Sequence, residues 1–406
     1  MRWVNFFHIY QPPDWNEVII RRAANESYLP LINILRQHPA VRITLNVAGA
    51  LIEQLVALGL NEVVTGIRHL VERGQIELVG SAKYHPILPL LPPDEMIRQI
   101  ELQDEICRQV FGRAYAPAGF FAPEMAYSGE LEQILVDRGY RWIILDEICA
   151  PRPLGQLTFD NRYRSRGGLQ VAFRNRAMSD YLSFAASIDQ PEKAVAVLQQ
   201  DQRHAGYLVT AMDGENLGHH RVGVDRLWEM LVTWPDVEAL TITDYLAALT
   251  KEETIDLRPG NWSSQPGDLV QGVPFGLWNH PQNPIHQLQW RLTRLVIEAI
   301  HGAGEDPTIS VARRLLDQAL TSDKYWWASA SPWWNVTIII RETQRLVDVL
   351  ATLTNVPPRI KNSAERLMQQ VASTTELWEK TGLAKQRQAT YLKDTGEIKY
   401  MGGQRV

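Results

Sequence analysis

Over roughly its first 250 residues the chain repeats one pattern: a short apolar run, a turn former, an amphipathic stretch, then another apolar run. No other feature limits the fold as strongly. Candidate strands occupy 4–9, 42–47, 76–80, 118–121, 142–145, 207–212 and 240–241. Helix-like stretches fall between them, at 29–36, 50–57, 63–73, 93–110, 131–138, 191–203 and 225–233. Short apolar runs bounded by turn formers read as buried strands. Strands that alternate with helices assemble as parallel βαβ units. This many repeats suits a barrel or a large open sheet. Pro93 followed by Asp94 and Glu95 marks a helix start, because proline suits the first turn and acids there complement the helix dipole.

The remainder reads differently. Residues 151–173 hold three short strand-like pieces around Asn161 and Gly167-Gly168, which predicts a β-hairpin excursion from the barrel. Residues 255–284 are rich in Gly, Pro, Asn and Ser and look irregular. Long helical stretches follow at 286–300, 309–321, 334–353 and 358–381. A closing hairpin is expected over 391–400, turning at Asp394-Thr395-Gly396. The expected organisation is a barrel over 1–255, then an irregular linker and helical bundle over 256–406.

Composition narrows the function. The net charge of −5 has the wrong sign for nucleic-acid binding. Two cysteines, Cys107 and Cys149, do not make a disulfide framework and fit a reducing compartment. The opening residues lack a signal-peptide core and no apolar stretch is long enough to span a membrane, so a cytoplasmic enzyme is expected. Thirteen tryptophans are the oddity, with pairs at Trp326-Trp327 and Trp333-Trp334. They serve either as packing or as stacking surfaces for the apolar faces of sugar rings.

Chemistry-bearing residues recur where the apolar runs end. Glu124 follows 118–121 and Asp213 follows 207–212. His8, Asn46, Lys83-Tyr84-His85, Asp146-Glu147 and Glu215 stand at other run ends. In an α/β barrel the C-terminal strand ends form the floor of the active site. Two carboxylates there suggest an acid/base or nucleophile/acid pair, as in glycoside cleavage. Each residue also has a plainer reading: His8 as a core histidine, Asn46 as a helix cap, Asp146 and Glu147 as turn caps or partners of Arg152. The polar run from Asp213 to His220 could also be a metal loop, but it is an incomplete EF-hand, and adjacent histidines point apart.

Four segments carry a family resemblance. They are Phe7-His8-Ile9-Tyr10-Gln11-Pro12-Pro13; Gly74 to Gly80 with Tyr84-His85-Pro86-Ile87-Leu88-Pro89; Phe121-Ala122-Pro123-Glu124-Met125-Ala126-Tyr127; and Ala211-Met212-Asp213-Gly214-Glu215-Asn216-Leu217-Gly218-His219. Ser322-Asp323-Lys324-Tyr325-Trp326-Trp327 is a fifth, weaker match, and 46–55 has the same look. Together, in this order, they resemble glycoside hydrolase family 57, a group of retaining α-glucan-active enzymes.

The resemblance implies an incomplete (β/α)7 barrel with a C-terminal α-helical domain, no metal or other cofactor, and an α-glucan or maltooligosaccharide substrate. It implies Glu124 as nucleophile and Asp213 as general acid/base. Retention asks for carboxyl groups about 5–5.5 Å apart. His8, His85, Asp146 and Arg174 would hydrogen-bond the sugar at the cleavage point. Tyr10, Gln11, Asn46, Glu215, His219, Trp278, Asp323, Trp326 and Trp327 would make further substrate contacts. The chain departs from the family at Tyr10, where a histidine is usual; tyrosine donates a hydrogen bond but does not titrate like imidazole. α-Amylase, 4-α-glucanotransferase, branching and α-galactosidase chemistry all fit these motifs. Two readings from other classes are a metal-dependent polysaccharide deacetylase, whose ligand pattern of paired aspartates and His-x-x-x-His is not found, and a non-catalytic glucan-binding barrel.

Overall fold

The computed structural model describes residues 1–200 and 206–395. The chain divides into two compact units. Among the described residues, the first comprises Met1–Lys83 and Leu88–Trp262, and the second comprises Tyr84–Ile87 and 263–395.

The first unit contains β1 (Arg2–Ile9), β2 (Ile43–Val47), β3 (Ile76–Leu78), β4 (Gly119–Phe120), β5 (Trp142–Asp146), β6 (Asn161–Ser165), β7 (Gln170–Arg174), β8 (Tyr207–Asp213), β9 (Glu238–Leu240) and β10 (Lys251–Ile255). One sheet runs β3-β2-β1-β8, with β9 beside the start of β1; the other runs β10-β6-β7-β5-β4. Two links join the sheets. Gly80 bridges Phe120 in parallel, and the Asn175 N–H donates to Val209 O at 2.7 Å. The staves β1, β2, β3, β4, β5, β7 and β8 thereby form a parallel ring, the expected incomplete (β/α)7 barrel. Helices Gly49–Ala57, Asn61–Glu72, Pro93–Phe111, Gly129–Asp137 and Val224–Val232 alternate with the strands. Asp94 and Glu95 lie in the first turn after Pro93, as expected.

The seam at β3, β4 and β5 depends on glycine. A Cβ on Gly119 would stand 2.1 Å from the Trp142 indole, and one on Gly80 would stand 2.2 Å from the Tyr140 hydroxyl. Only residues without a side chain let these backbones meet such rings. Trp3, Trp142 and Trp228 are buried in the barrel unit. Trp3 donates its indole N–H to Thr210 (2.8 Å) and Trp228 to Asn5 (2.9 Å). Much of the tryptophan excess is therefore core material with a satisfied polar edge.

Three expectations need correction. The hairpin over 151–173 is not wholly an excursion. β6 and β7 do pair antiparallel, but β7 is itself a barrel stave, parallel to β5 from Trp142↔Gln170 to Asp146↔Arg174. Val171, Ala172 and Phe173 are buried there, and burial rather than hairpin register sets their place. The strand-like piece at 157–159 forms no strand; β10 instead adds to β6. The closing hairpin is replaced, as far as Thr395, by the helix Leu383–Thr395, whose Leu, Ala, Lys, Gln and Arg are strong helix formers. Residues 396–400 of that hairpin, and residues 201–203 of the helix expected over 191–203, lie outside the described residues.

The second unit is helical: Pro284–His301, Ile309–Ala319, Asp323–Trp327, Val336–Thr352, Pro358–Thr381 and Leu383–Thr395. Pro284–His301 packs on Pro358–Thr381, and Ile309–Ala319 packs on Val336–Thr352. Ile285, Ile339, Val371 and Trp378 form part of its core. Cys107 and Cys149 are both buried free thiols. Among the described residues no helix is long and apolar enough to cross a membrane.

Candidate active site

The site is built on the C-terminal ends of the barrel staves. Parallel register sets His8 level with both Asn46 and Asp213. His8 Nδ1 lies 2.7 Å from Asn46 Oδ1, so the ring N–H donates to the amide oxygen. Both side chains are buried, and Asn46 Nδ2 finds no partner. The His8 ring packs against Phe121 (4.7 Å) and lies near-parallel to Tyr10 (6.0 Å).

Glu124 follows the two-residue strand β4. In the turn Pro123–Met125, Glu124 (φ 60, ψ 16) and Met125 (φ 51) both adopt left-handed backbone. That conformation costs a non-glycine residue on the order of 1–3 kcal/mol and persists only where its surroundings enforce it. Trp262 enforces it twice. Its backbone N–H donates to Glu124 O (3.2 Å), and its indole N–H donates to Glu124 Oε2 (2.7 Å). The Trp262 ring also lies 5.8 Å from Phe121 and 6.4 Å from His8. The sequence reading missed Trp262. Its only signal was one aromatic after Gly260-Asn261 in a run of turn formers.

Asp213 ends β8. It is partly exposed, and its carboxylate caps no backbone N–H of the following turn Gly214–Asn216. The protein packed around it pushes the carboxyl up to about 6, while the Arg174 charge pulls the other way. Arg174 stands at the end of β7. Its guanidinium donates to Asp146, to Asp180 (2.9 Å) and to Ala211 O (3.2 Å), and it lies 5.6 Å from the Trp262 ring centroid. Trp262 and Arg174 thus connect the Glu124 turn to the end of β8.

Asp146 is not positioned as a sugar ligand. It is completely buried and accepts from Arg174, from Arg176 (2.7 Å) and from the Ile148 N–H (2.9 Å). Its neighbour Glu147 accepts from the Arg176 N–H and the Gly155 N–H, not from Arg152. An acid at a strand end can face the cleft or a buried guanidinium, and here two arginines claim it. Asp146→Ala is expected to destabilise the fold by about 3–5 kcal/mol, because it leaves buried cations short of a partner. Urea denaturation tests this, and a loss below about 1 kcal/mol would contradict it.

The other members of the Asp213 to His220 run turn to separate partners. Glu215 is buried and its Oε1 accepts from the Tyr28 hydroxyl (2.6 Å) and the Tyr10 N–H (3.0 Å). Burial and the nearby Asp213 push the Glu215 carboxyl up to about 8. Gln11 reaches the same Tyr28 hydroxyl at 3.5 Å. His219 Nδ1 meets Glu26 at 2.6 Å. Glu215 and His219 thus meet different partners, while the His219 and His220 rings lie 5.2 Å apart. Tyr28 is the second residue missed by the sequence reading.

The remaining expected residues belong to the helical unit. Trp278 is only 1% exposed, and its indole N–H has no hydrogen-bond partner among the described residues. His85 is buried, bonds Ser322 Oγ at 3.1 Å, and is held neutral because burial lowers its imidazole to about 3. Asp323 accepts from the Thr321 hydroxyl at the start of helix Asp323–Trp327. Trp326 and Trp327 are partly exposed and cluster with Trp333, with centroids 5.2 and 5.8 Å from it.

The comparisons agree with this architecture. An alpha-amylase of Pyrococcus horikoshii is 28% identical over 221 residues, 50% of this chain and 34% of that protein. A 4-alpha-glucanotransferase of Thermococcus litoralis is 27% identical over 150 residues, 36% of this chain and 22% of that protein. The chain thus spans about a third or less of the length of these curated relatives. Among solved structures, the 4-alpha-glucanotransferase of T. litoralis superposes with a TM-score of 0.68 at 17% identity, covering 86% of this chain and 59% of that one. The GH57-type branching enzyme of P. horikoshii superposes with a TM-score of 0.68 at 16% identity, covering 90% of this chain and 94% of that one. At such identities the structural likeness is one of fold. The sequence signature of glycosyl hydrolase family 57 matches residues 2–257, the span that carries the barrel and both strand-end acids. The chain belongs to glycosyl hydrolase family 57.

Proposed function

We propose that this chain cleaves α-1,4-glucans with retention of configuration, with Glu124 as nucleophile and Asp213 as general acid/base. The observation that carries this reading is the unequal setting of the two acids. Glu124 is locked by Trp262 on strained backbone, whereas Asp213 stands at a strand end with its carboxyl pushed up to about 6. Double displacement asks for that asymmetry, one carboxylate held for attack and one acid able to carry a proton near neutral pH.

In the first step a Glu124 oxygen bonds to the anomeric carbon while the bond to the leaving oxygen breaks. Asp213 gives its proton to that oxygen. In the second step Asp213, now ionised, takes a proton from water or an acceptor hydroxyl, whose oxygen displaces Glu124. Acid and base are thus restored. The Arg174 charge opposes the effect of burial on Asp213, and so helps the acid/base serve in both forms. The α-glucan substrate is supported by the relatives, which are named as alpha-amylase and 4-alpha-glucanotransferase.

Incubation with amylose and with maltotetraose tests the reading. Released reducing ends indicate water as acceptor, redistributed chain lengths indicate transfer, and new 1,6 linkages indicate branching. No change in any α-glucan would overturn it.

A further inference from the structure

The turn after β8 is gripped by one short piece of helix. Residues Ala24–Tyr28 form a π-helical turn between helices Glu17–Ala23 and Leu29–Gln37. Such single-turn insertions occur frequently at functional sites. Consecutive residues of an α-helix point about 100° apart. Here three consecutive side chains all reach one loop. Glu26 meets His219 Nδ1 (2.6 Å), the Ser27 hydroxyl donates to Gly214 O (2.7 Å), and the Tyr28 hydroxyl donates to Glu215 Oε1 (2.6 Å). The loop lies hard against the π turn, since a Cβ on Gly218 would stand 2.1 Å from Glu26 O. Glu215 Oε1 also accepts the Tyr10 N–H just past β1. One carboxyl oxygen therefore ties together the exit of β1, the π turn and the turn that follows Asp213.

We propose that Tyr28 is a positioning residue for Asp213: through Glu215 it fixes the turn Gly214–Asn216, and with it the direction of the carboxyl at the end of β8. This rests on the reading of Asp213 as general acid/base. The role needs an acceptor oxygen on Glu215 rather than a negative charge. Burial and Asp213 push the Glu215 carboxyl up to about 8, which favours the neutral acid, whose carbonyl oxygen can accept both donors.

Four variants assayed on a maltooligosaccharide, each checked for folding by circular dichroism, test the proposal. Tyr28→Phe is expected to lower kcat roughly tenfold to a hundredfold with KM within about twofold, the scale of a small misplacement of a catalytic group. Glu215→Ala should do the same. Glu215→Gln, which keeps an acceptor oxygen, should be at least about tenfold more active than Glu215→Ala, again on the misplacement scale. The proposal is overturned if folded Tyr28→Phe turns over like the parent, or if Glu215→Gln is no better than Glu215→Ala. Should Tyr28→Phe fail to fold, the two Glu215 variants decide. Asp213→Asn separates the two readings. If it is fully active, the acid/base assignment falls. If it is inactive while Tyr28→Phe is unaffected, only the positioning role falls.

Discussion

Glu124→Gln is expected to lower kcat on maltooligosaccharides by about 10⁴-fold or more, the scale on which loss of a nucleophile acts in other covalent mechanisms. The substitution is close to isosteric. The amide oxygen can still accept the Trp262 indole N–H that holds the native side chain at 2.7 Å. The left-handed backbone at Glu124 is enforced by Trp262 and is not changed by the swap. The fold should therefore survive, with a melting temperature within a few degrees of the parent, and the lost rate is attributable to chemistry. Mass spectrometry gives the complementary positive result. With a glycosyl fluoride donor, whose leaving group needs little help from a proton donor, Asp213→Asn should slow deglycosylation more than glycosylation, and a glycosyl adduct should accumulate on the peptide that contains Glu124. A well-folded Glu124→Gln protein with near-parent turnover would remove Glu124 from the mechanism.

The second large effect concerns pH. In its proposed role Asp213 must hold its proton to release the leaving group. Packing pushes its carboxyl up to about 6, and Arg174 opposes this. Below that value the acid form is present; above it the free enzyme loses its proton donor. kcat/KM should therefore fall on an alkaline limb centred near pH 6, about tenfold per pH unit once Asp213 is ionised, since kcat/KM reports the free enzyme. Asp213→Asn should cost about 10²–10⁴-fold at the optimum, the usual contribution of a general acid or base, and should erase that limb. A limb that persists in Asp213→Asn would belong to another group. The stability consequence has a definite sign. A carboxyl raised in the folded state contributes stability below its unfolded value, and that contribution is lost as pH rises through about 6.

The barrel was legible because its staves are local signals. Runs such as 142–145 and 207–212 are predominantly apolar, as strands buried on both faces are, and each lies within a residue or two of the observed β5 and β8. β7 was misassigned because Gln170–Arg174 sits next to an antiparallel partner only a few residues away, and a sequence window favours the near partner over the distant stave. The closing hairpin failed for a similar reason. A turn-like Asp394-Thr395-Gly396 outweighed the helix-forming residues before it, and the helix runs to Thr395.

Of the candidate site, the sequence by itself located the two candidate acids near strand ends, because an acid close after an apolar run is a local pattern. It also determined His8 and Asn46, which parallel register then set level with Asp213. Tertiary structure alone decided what each polar group faces. Asp146 and Asp213 both end strands, yet one is sealed under Arg174 and Arg176 while the other stays partly exposed. Trp262 meets Glu124 across 138 residues of sequence, and Tyr28 meets Glu215 across 187. Spacing along the chain carries no information about such pairs. They form only when the ring closes, and it is ring closure that fixes which strand ends are buried, which charges they meet and which way their carboxyls point.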